Sequence, residues 1–455
     1  MDRITKLWRN EQAYEPLEDD ITEEDNEHHA SQENNPFSYI EYTIFLLLGI
    51  SMLWAWNMFL AAGPYFQSRF RSNAWILENF QAAEISVSTA TTLGSMLILT
   101  RLQANASYPK RIIASLVINM VVFTLLALFT KVWVGIATEG YFAFLMVMMF
   151  ASSLATGLCQ NGIFAYVSGF GHPSYTQGIM TGQGVAGVLP CIAQIVSVMS
   201  VSGRSSTPQH DTNPPPGEAP PLNPNSALAY FLTATVISAI TLLSFLYLIK
   251  KPLALRALKP QEDNTSPNPT AAPETHKPVP LLLLARKLFW LASAVFTSFA
   301  ITMVFPVFTQ QIVSVRAPAK QTLLFQPASF IPLAFLFWNT GDLLGRLLTA
   351  VPSLSLVRRP RLLFALAVSR VGFVGLYQLC NIRGRGAVVE SDLFYLVVVQ
   401  LLFGLTAGYT GSTCMIGASE LVEPEEREAA GSFMGLCLVA GLTAGSLASF
   451  CVAGA

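Results

Sequence analysis

Asp342 and Arg346 are the only charged residues between Lys320 and Arg358, in a stretch otherwise rich in Phe and Leu. A lone carboxylate or guanidinium in hydrocarbon is costly, so such residues face each other, a water-filled cavity or a polar ligand. Four residues apart on a helix, they share one face. Two readings stand: a buried structural ion pair, or a binding site for a polar ligand. A buried pair rarely improves stability over apolar residues of similar volume, which favours the site.

Other polar groups fall at similar depth in apolar windows. Asn57 follows Trp54 and Trp56, and an unpaired amide in an apolar setting costs on the order of one to several kcal/mol. It either bonds a neighbouring helix or, with the indoles as an aromatic wall, serves a planar ligand. Gln160 and Asn161 are adjacent, so they point about 100° apart and cannot satisfy each other. Glu84 and Arg370 are the remaining charges at mid-window. Each is either half of a structural pair or a gate or proton-coupling group. Phe305-Pro306 places a kink in the seventh window, because proline lacks the N–H and collides with the preceding turn.

Several chemistries are excluded. Gly182 to Gly187 matches GxGxxG, but no strand precedes it, so a dinucleotide turn is ruled out. Such glycines, like Gly341/Gly345 and Gly404/Gly408, let helices approach closely. No P-loop pattern occurs. The five histidines (His28, His29, His172, His210, His276) lie outside the apolar windows, which leaves an intramembrane enzyme without a histidine base. The six cysteines form no CxxC and read as packing residues. No metal, cofactor or nucleic acid is expected.

These residues need membrane helices to position them. The chain of 455 residues is 52% hydrophobic and 12% charged, with a mean hydropathy of +0.47, unlike a soluble globular domain. Windows of the roughly 20 residues needed to cross a bilayer recur near 39–63, 80–100, 111–130, 140–167, 174–200, 226–249, 286–312, 326–350, 361–381, 392–417 and 429–453. The fold class is an all-α polytopic membrane protein of eleven spans. Four segments follow: an acidic disordered tail over 1–37, a six-helix bundle over 38–250, a Pro- and Thr-rich disordered linker over 251–285, and a five-helix bundle over 286–455. Of the 27 Lys and Arg, 17 fall on the side of the N-terminus and 8 on the other, with Arg346 and Arg370 inside spans. That bias sets the N-terminus in the cytosol and the C-terminus in a lumen or outside. Tyr14-Glu15-Pro16-Leu17 in the tail has the pattern of a sorting signal for an adaptor, which points to a vacuolar or other endomembrane.

Taken together, several motifs resemble the equilibrative nucleoside transporters. They are Gly49 with Trp56-Asn57, Gln160-Asn161, Gly182-Gln183-Gly184 with Gly187, Trp338-Asn339 with Gly341-Asp342-Leu343-Leu344-Gly345-Arg346, and Gly408-Tyr409 with Cys414-Met415. The long acidic tail is similar to that of a fungal member. The resemblance implies a major-facilitator-like 6+5 architecture, alternating access without ATP hydrolysis, and a nucleoside held between the bundles. It assigns Asp342 to ribose hydroxyls, Arg346 to ribose or base oxygens, Gln160 and Asn161 to the base edge, and Trp56 and Asn57 to the opposite wall. The family usually has Pro before Trp-Asn; Ala55 stands here. Two other readings stay open: a carrier for another small solute such as a nucleobase, sugar or drug, and, from a different class, a membrane sensor or polytopic enzyme.

Overall fold

A bilayer core offers no water to bond a backbone, so apolar windows must close their hydrogen bonds internally. Here they do so as helices. The structure is a computed structural model that describes residues 37–103, 106–132, 135–202, 224–258, 279–303, 305–317 and 321–453. The acidic tail with Tyr14 to Leu17, and 259–278 of the expected linker, lie outside the described residues.

The first window is α1 (Tyr39–Ala61), which runs on into α2 (Gly63–Phe70). Then come α3 (Ala74–Arg101), α4 (Tyr108–Phe129), α5 (Thr138–Gly169), α6 (Pro173–Ser202) and α7 (Pro224–Leu258). The seventh window is broken into α8 (Leu281–Lys287), α9 (Phe289–Thr302) and α10 (Phe305–Thr309). Pro306 at the start of α10 accounts for the second break, since it cannot donate back to Thr302. Helix α11 (Pro327–Leu348) is continuous. The ninth window is α12 (Pro360–Ser369) and α13 (Gly372–Gln378), joined through Arg370. The tenth opens as a π-helical stretch, Phe394–Leu401, and continues as α14 (Leu402–Glu420), before α15 (Arg427–Ala453) closes the chain.

Among the described residues, ten helical segments are long and apolar enough to cross a membrane. Helix α11 is the eleventh: at 22 residues it has the length, and Asn339, Thr340, Asp342 and Arg346 lower its apolar content. On α7, Leu232, Val236, Ile240, Leu243 and Tyr247 are exposed at helical spacing. Such a stripe suits hydrocarbon, not water.

Buried side chains form three cores. One lies at the end where α1 begins and draws on both groups of spans: Phe45 and Leu48 of α1, Met96, Ile112 and Phe164 join Leu291, Val295, Cys414 and Met434. At the opposite end the core is divided. Phe59, Phe66, Phe123 and Phe231 belong to one cluster of the first six spans, while Phe305, Phe308, Phe330 and Phe403 belong to another of the last five. The two groups of helices therefore share one core at one end and have two at the other, where Ile195 of α6 still packs against the core of the last five spans.

Helices α11 and α14 meet backbone to backbone. A Cβ on Gly341 or Gly345 would lie 2.0 or 2.1 Å from the carbonyl oxygen of Leu401 or Leu405. On Gly404 or Gly408 it would lie 2.0 Å from the oxygen of Trp338 or Asp342. No side chain fits at any of the four. Gly404→Ala should lower stability by about 1–3 kcal/mol through overpacking. Gly375→Ala on α13, with nothing within 4 Å of the added carbon, should gain about 0.5–1 kcal/mol as a helix-interior glycine replaced. Thermal melting of the detergent-solubilised variants measures both, and equal melting temperatures would contradict the backbone contact.

Candidate functional site

The glycine contact fixes α11 against α14 and leaves its polar face to α6. On that face Arg346 Nε donates to Asp342 Oδ2 at 2.6 Å, and both residues are 6% exposed. Arg346 Nη1 crosses to α6, donating to the Met180 carbonyl at 2.9 Å and to Gln183 Oε1 at 3.0 Å. Two polar atoms stay out of these bonds. Asp342 Oδ1 and Arg346 Nη2 take no hydrogen bond, and neither is among the buried polar atoms left without a partner, so both reach accessible space. The pair thus holds itself in register with one half of each group and presents an acceptor and a donor with the other.

Helix α6 also carries α1. Gly49 packs on the Ile179 backbone and Gly182 on Leu46, where added Cβ atoms would lie 2.1 Å from carbonyl oxygens. Gly182, the first glycine of the GxGxxG run, is thus a packing position. At this separation Asn57 Nδ2 donates to the Ala186 carbonyl at 2.8 Å, so its amide oxygen is the half left over. On the next residue, Gly187, a Cβ would lie 2.3 Å from Asn339 Oδ1 of α11, while Asn339 Nδ2 donates to the Phe335 carbonyl. Asn57 and Asn339 therefore flank neighbouring residues of α6, one turn beyond Gln183. Trp56 is half-buried against the core that holds Ala55, Met58 and Phe59.

The adjacent amides of α5 part company. Asn161 is fully buried and saturated: Nδ2 donates to Ser432 Oγ of α15 at 2.6 Å and to Thr100 Oγ1 of α3 at 3.3 Å, and Oδ1 accepts from Arg111 of α4. It ties four helices together. Gln160 is 8% exposed, and its Oε1 is buried with no hydrogen-bond partner. A buried amide oxygen without a donor is an acceptor kept for something else.

The two remaining charges lie apart. Arg370 is fully buried; Nη1 donates to the Ser298 carbonyl and Oγ, both at 2.6 Å, Nη2 to Thr302 Oγ1 at 3.0 Å and Nε to Thr406 Oγ1 at 3.3 Å, with the Phe403 ring 4.6 Å away. Among the described residues no carboxylate pairs with it. Glu84 on α3 has a buried, unpartnered Oε1. The Tyr141 ring lies 4.5 Å from the Arg69 guanidinium.

Two residues that the sequence named within motifs but gave no role lie near the pair. Gln183 was hidden among glycines that read as packing. Trp338, one turn before Asp342, stacks on Phe305 with centroids 4.4 Å apart at 14°, and its Nε1 is buried with no partner. Its spacing of four from Asp342 was the available signal. Among the described residues no group of three or more His, Cys, Asp or Glu could hold a metal ion.

Comparison with known proteins bears on this arrangement. The family profile described as nucleoside transporter matches residues 145–453. The nucleoside transporter FUN26 of Saccharomyces cerevisiae is 28% identical over 444 residues, covering 90% of this chain and 83% of that protein. Equilibrative nucleoside transporter 1 of Homo sapiens is 27% identical over 470 residues, covering 90% and 96%. Among solved structures, the proton:xylose symporter XylE, a major facilitator protein, matches with a TM-score of 0.55 at 11% identity over 90% of this chain and 86% of that one. The human organic anion transporter MFSD10 matches with a TM-score of 0.54 at 15% identity over 91% and 93%. At these identities the structures speak for the fold alone, which is of the major facilitator kind.

The amides of α5 make a test that needs no ligand. Asn161→Leu removes three bonds and leaves Arg111 with the Leu99 and Leu102 carbonyls alone, and should cost about 1–3 kcal/mol or more. Gln160→Leu removes an amide that bonds nothing and should be neutral or stabilising. Melting temperatures of the two variants decide it, and a larger loss for Gln160→Leu would reverse the assignment.

Proposed function

The chain belongs to the nucleoside transporter family, and from that premise we propose that nucleosides cross between two helix bundles, 38–250 and 286–455, through one site built around Asp342 and Arg346. The protein is a multi-pass integral membrane protein that transports nucleosides, and it is not an enzyme. The observation that carries the site is the division within the pair: Arg346 Nε and Asp342 Oδ2 are spent on each other, while Arg346 Nη2 and Asp342 Oδ1 remain open.

A nucleoside is a neutral planar heterocycle on a polyol. Asp342 Oδ1 accepts from ribose hydroxyls, and Arg346 Nη2 donates to ribose or base oxygens. Gln160 offers its unpaired amide to the base edge, with Asn161 behind it as the tie that holds α5. Trp56 and the free oxygen of Asn57 form the facing wall, and the Trp338 indole adds a donor and an aromatic face one turn from Asp342. A site of this kind rejects analogues that lack a hydroxyl, because its own polar groups would be left unpaired.

Alternating access is supported by the cores. Joined at the end where α1 begins and divided at the other but for Ile195 of α6, they support a carrier whose site opens away from α1's first residue. With the N-terminus in the cytosol, as the Lys and Arg distribution favours, that side is luminal or exoplasmic. Arg370, at the end of α12, ties that helix to α9 and α14, and Glu84 is the candidate for proton coupling. The same reading assigns the chain to a vacuolar or other endomembrane, on the strength of Tyr14 to Leu17 and the acidic tail. Tyr14→Ala should then move a tagged chain to the cell surface, and an unchanged distribution by microscopy would remove that support.

Uptake of radiolabelled adenosine and uridine into proteoliposomes tests the main reading. Asp342→Asn should weaken ribonucleosides about tenfold or more, the scale of a lost charge-assisted hydrogen bond, and 2′,3′-dideoxynucleosides much less. Equal losses for both would make the pair structural. In the same assay an inward proton gradient should raise uptake in a manner removed by Glu84→Gln; rates indifferent to the gradient assign facilitated diffusion.

A further inference from the structure

Arg346 is bound on two sides. Its Nε is held by Asp342 on its own helix, and its Nη1 by Met180 O and Gln183 Oε1 on α6. Gln183 is 5% exposed, and its other end, Nε2, donates to Met52 Sδ of α1 at 2.8 Å. A thioether is a weak acceptor, so the strong half of this amide is the one spent on the guanidinium. Gly184 brings the rest of Arg346 onto the α6 backbone: a Cβ there would lie 3.1 Å from Arg346 Cδ and 2.9 Å from Leu343 Cδ1. The contact joins α6 of the first six spans to α11 of the last five.

We propose that Gln183 is a positioning residue that holds Arg346 across the two bundles until a substrate oxygen replaces it, so that binding of the nucleoside loosens α6 from α11. The proposal rests on the reading of Asp342 and Arg346 as the substrate clamp. Its logic is the cost of a buried guanidinium with unmet donors. Nη1 cannot leave Gln183 unless another acceptor arrives, and a nucleoside brings base carbonyl and ribose oxygens. A ligand that draws Arg346 off α6 binds better where the two helices have parted, and it shifts the protein toward that arrangement by the same free energy. Asp342 fixes the foot of the arginine throughout, so only its far nitrogens change partner.

Gln183 thus has two separable effects. As an acceptor it orients Arg346 for the substrate, and as a cross-bundle tie it resists the movement that follows. Gln183→Leu removes both: KM for adenosine should rise about tenfold, the scale of one hydrogen bond to a charged group, while Vmax per folded transporter does not fall. Gln183→Glu keeps an acceptor and strengthens the tie, so KM should stay within about twofold of wild type, with Vmax reduced severalfold. In an Arg346→Lys background, Gln183→Leu should add no further change in KM, because the partner it positions has gone.

Proteoliposome uptake, normalised to folded protein by size-exclusion fluorescence, gives both constants. If Gln183→Leu yields no folded protein, Gln183→Met, similar in volume and without a strong acceptor, takes its place. Wild-type KM and Vmax in the Leu or Met variant would overturn the proposal, as would Leu and Glu variants that change both constants in parallel, the mark of a merely structural residue. Absence of nucleoside uptake by the wild-type protein would instead overturn the proposed site and leave no question to put to Gln183.

Discussion

A guanidinium buried among helices must have its donors met, and much of this molecule is arranged around that demand at Arg346. Asp342 meets it from the same helix, and Met180 and Gln183 meet it from α6. For those bonds to form, α6 has to lie close to α11, which glycine at 184 allows and α11's fixed position against α14 enforces. Close packing of α6 in turn sets α1 beside it, through Gly49 and Gly182, and so brings Asn57 to the Ala186 carbonyl. The charge is met without being hidden, since one nitrogen of Arg346 and one oxygen of Asp342 still reach accessible space.

Arg370 meets the same demand by another route. It takes hydroxyls and a carbonyl in place of a carboxylate, plus an aromatic face. There, neutral groups alone meet the donors.

The spans were legible because hydrocarbon imposes a length and a composition that windows of sequence show directly. Asp342 and Arg346 were legible for the complementary reason, as departures from that composition at helical spacing. What the sequence hid was the partner of each polar group. Asn161 and Gln160 read alike, yet one is consumed by Ser432, 271 positions away, with Thr100 and Arg111, while the other is free. Pro306 announced the break before α10, whereas nothing local announced the one at Arg370, where the side chain reaches back to α9. Gln183 stood in plain view among glycines whose purpose was clear, and its own purpose lay on another helix.

At Gly341, Gly345, Gly404 and Gly408 the main chains on the two sides touch with no side chain between them. Side chains between helices act as springs, because rotamers can adjust and absorb small displacements. Here that compliance is absent over four consecutive contacts, and the carbonyl of Asp342 itself is one of the touching atoms. Any tilt of α14 must be handed to the carboxylate undiminished, so this pair of helices works as a stiff lever with the binding groups fixed to its arm.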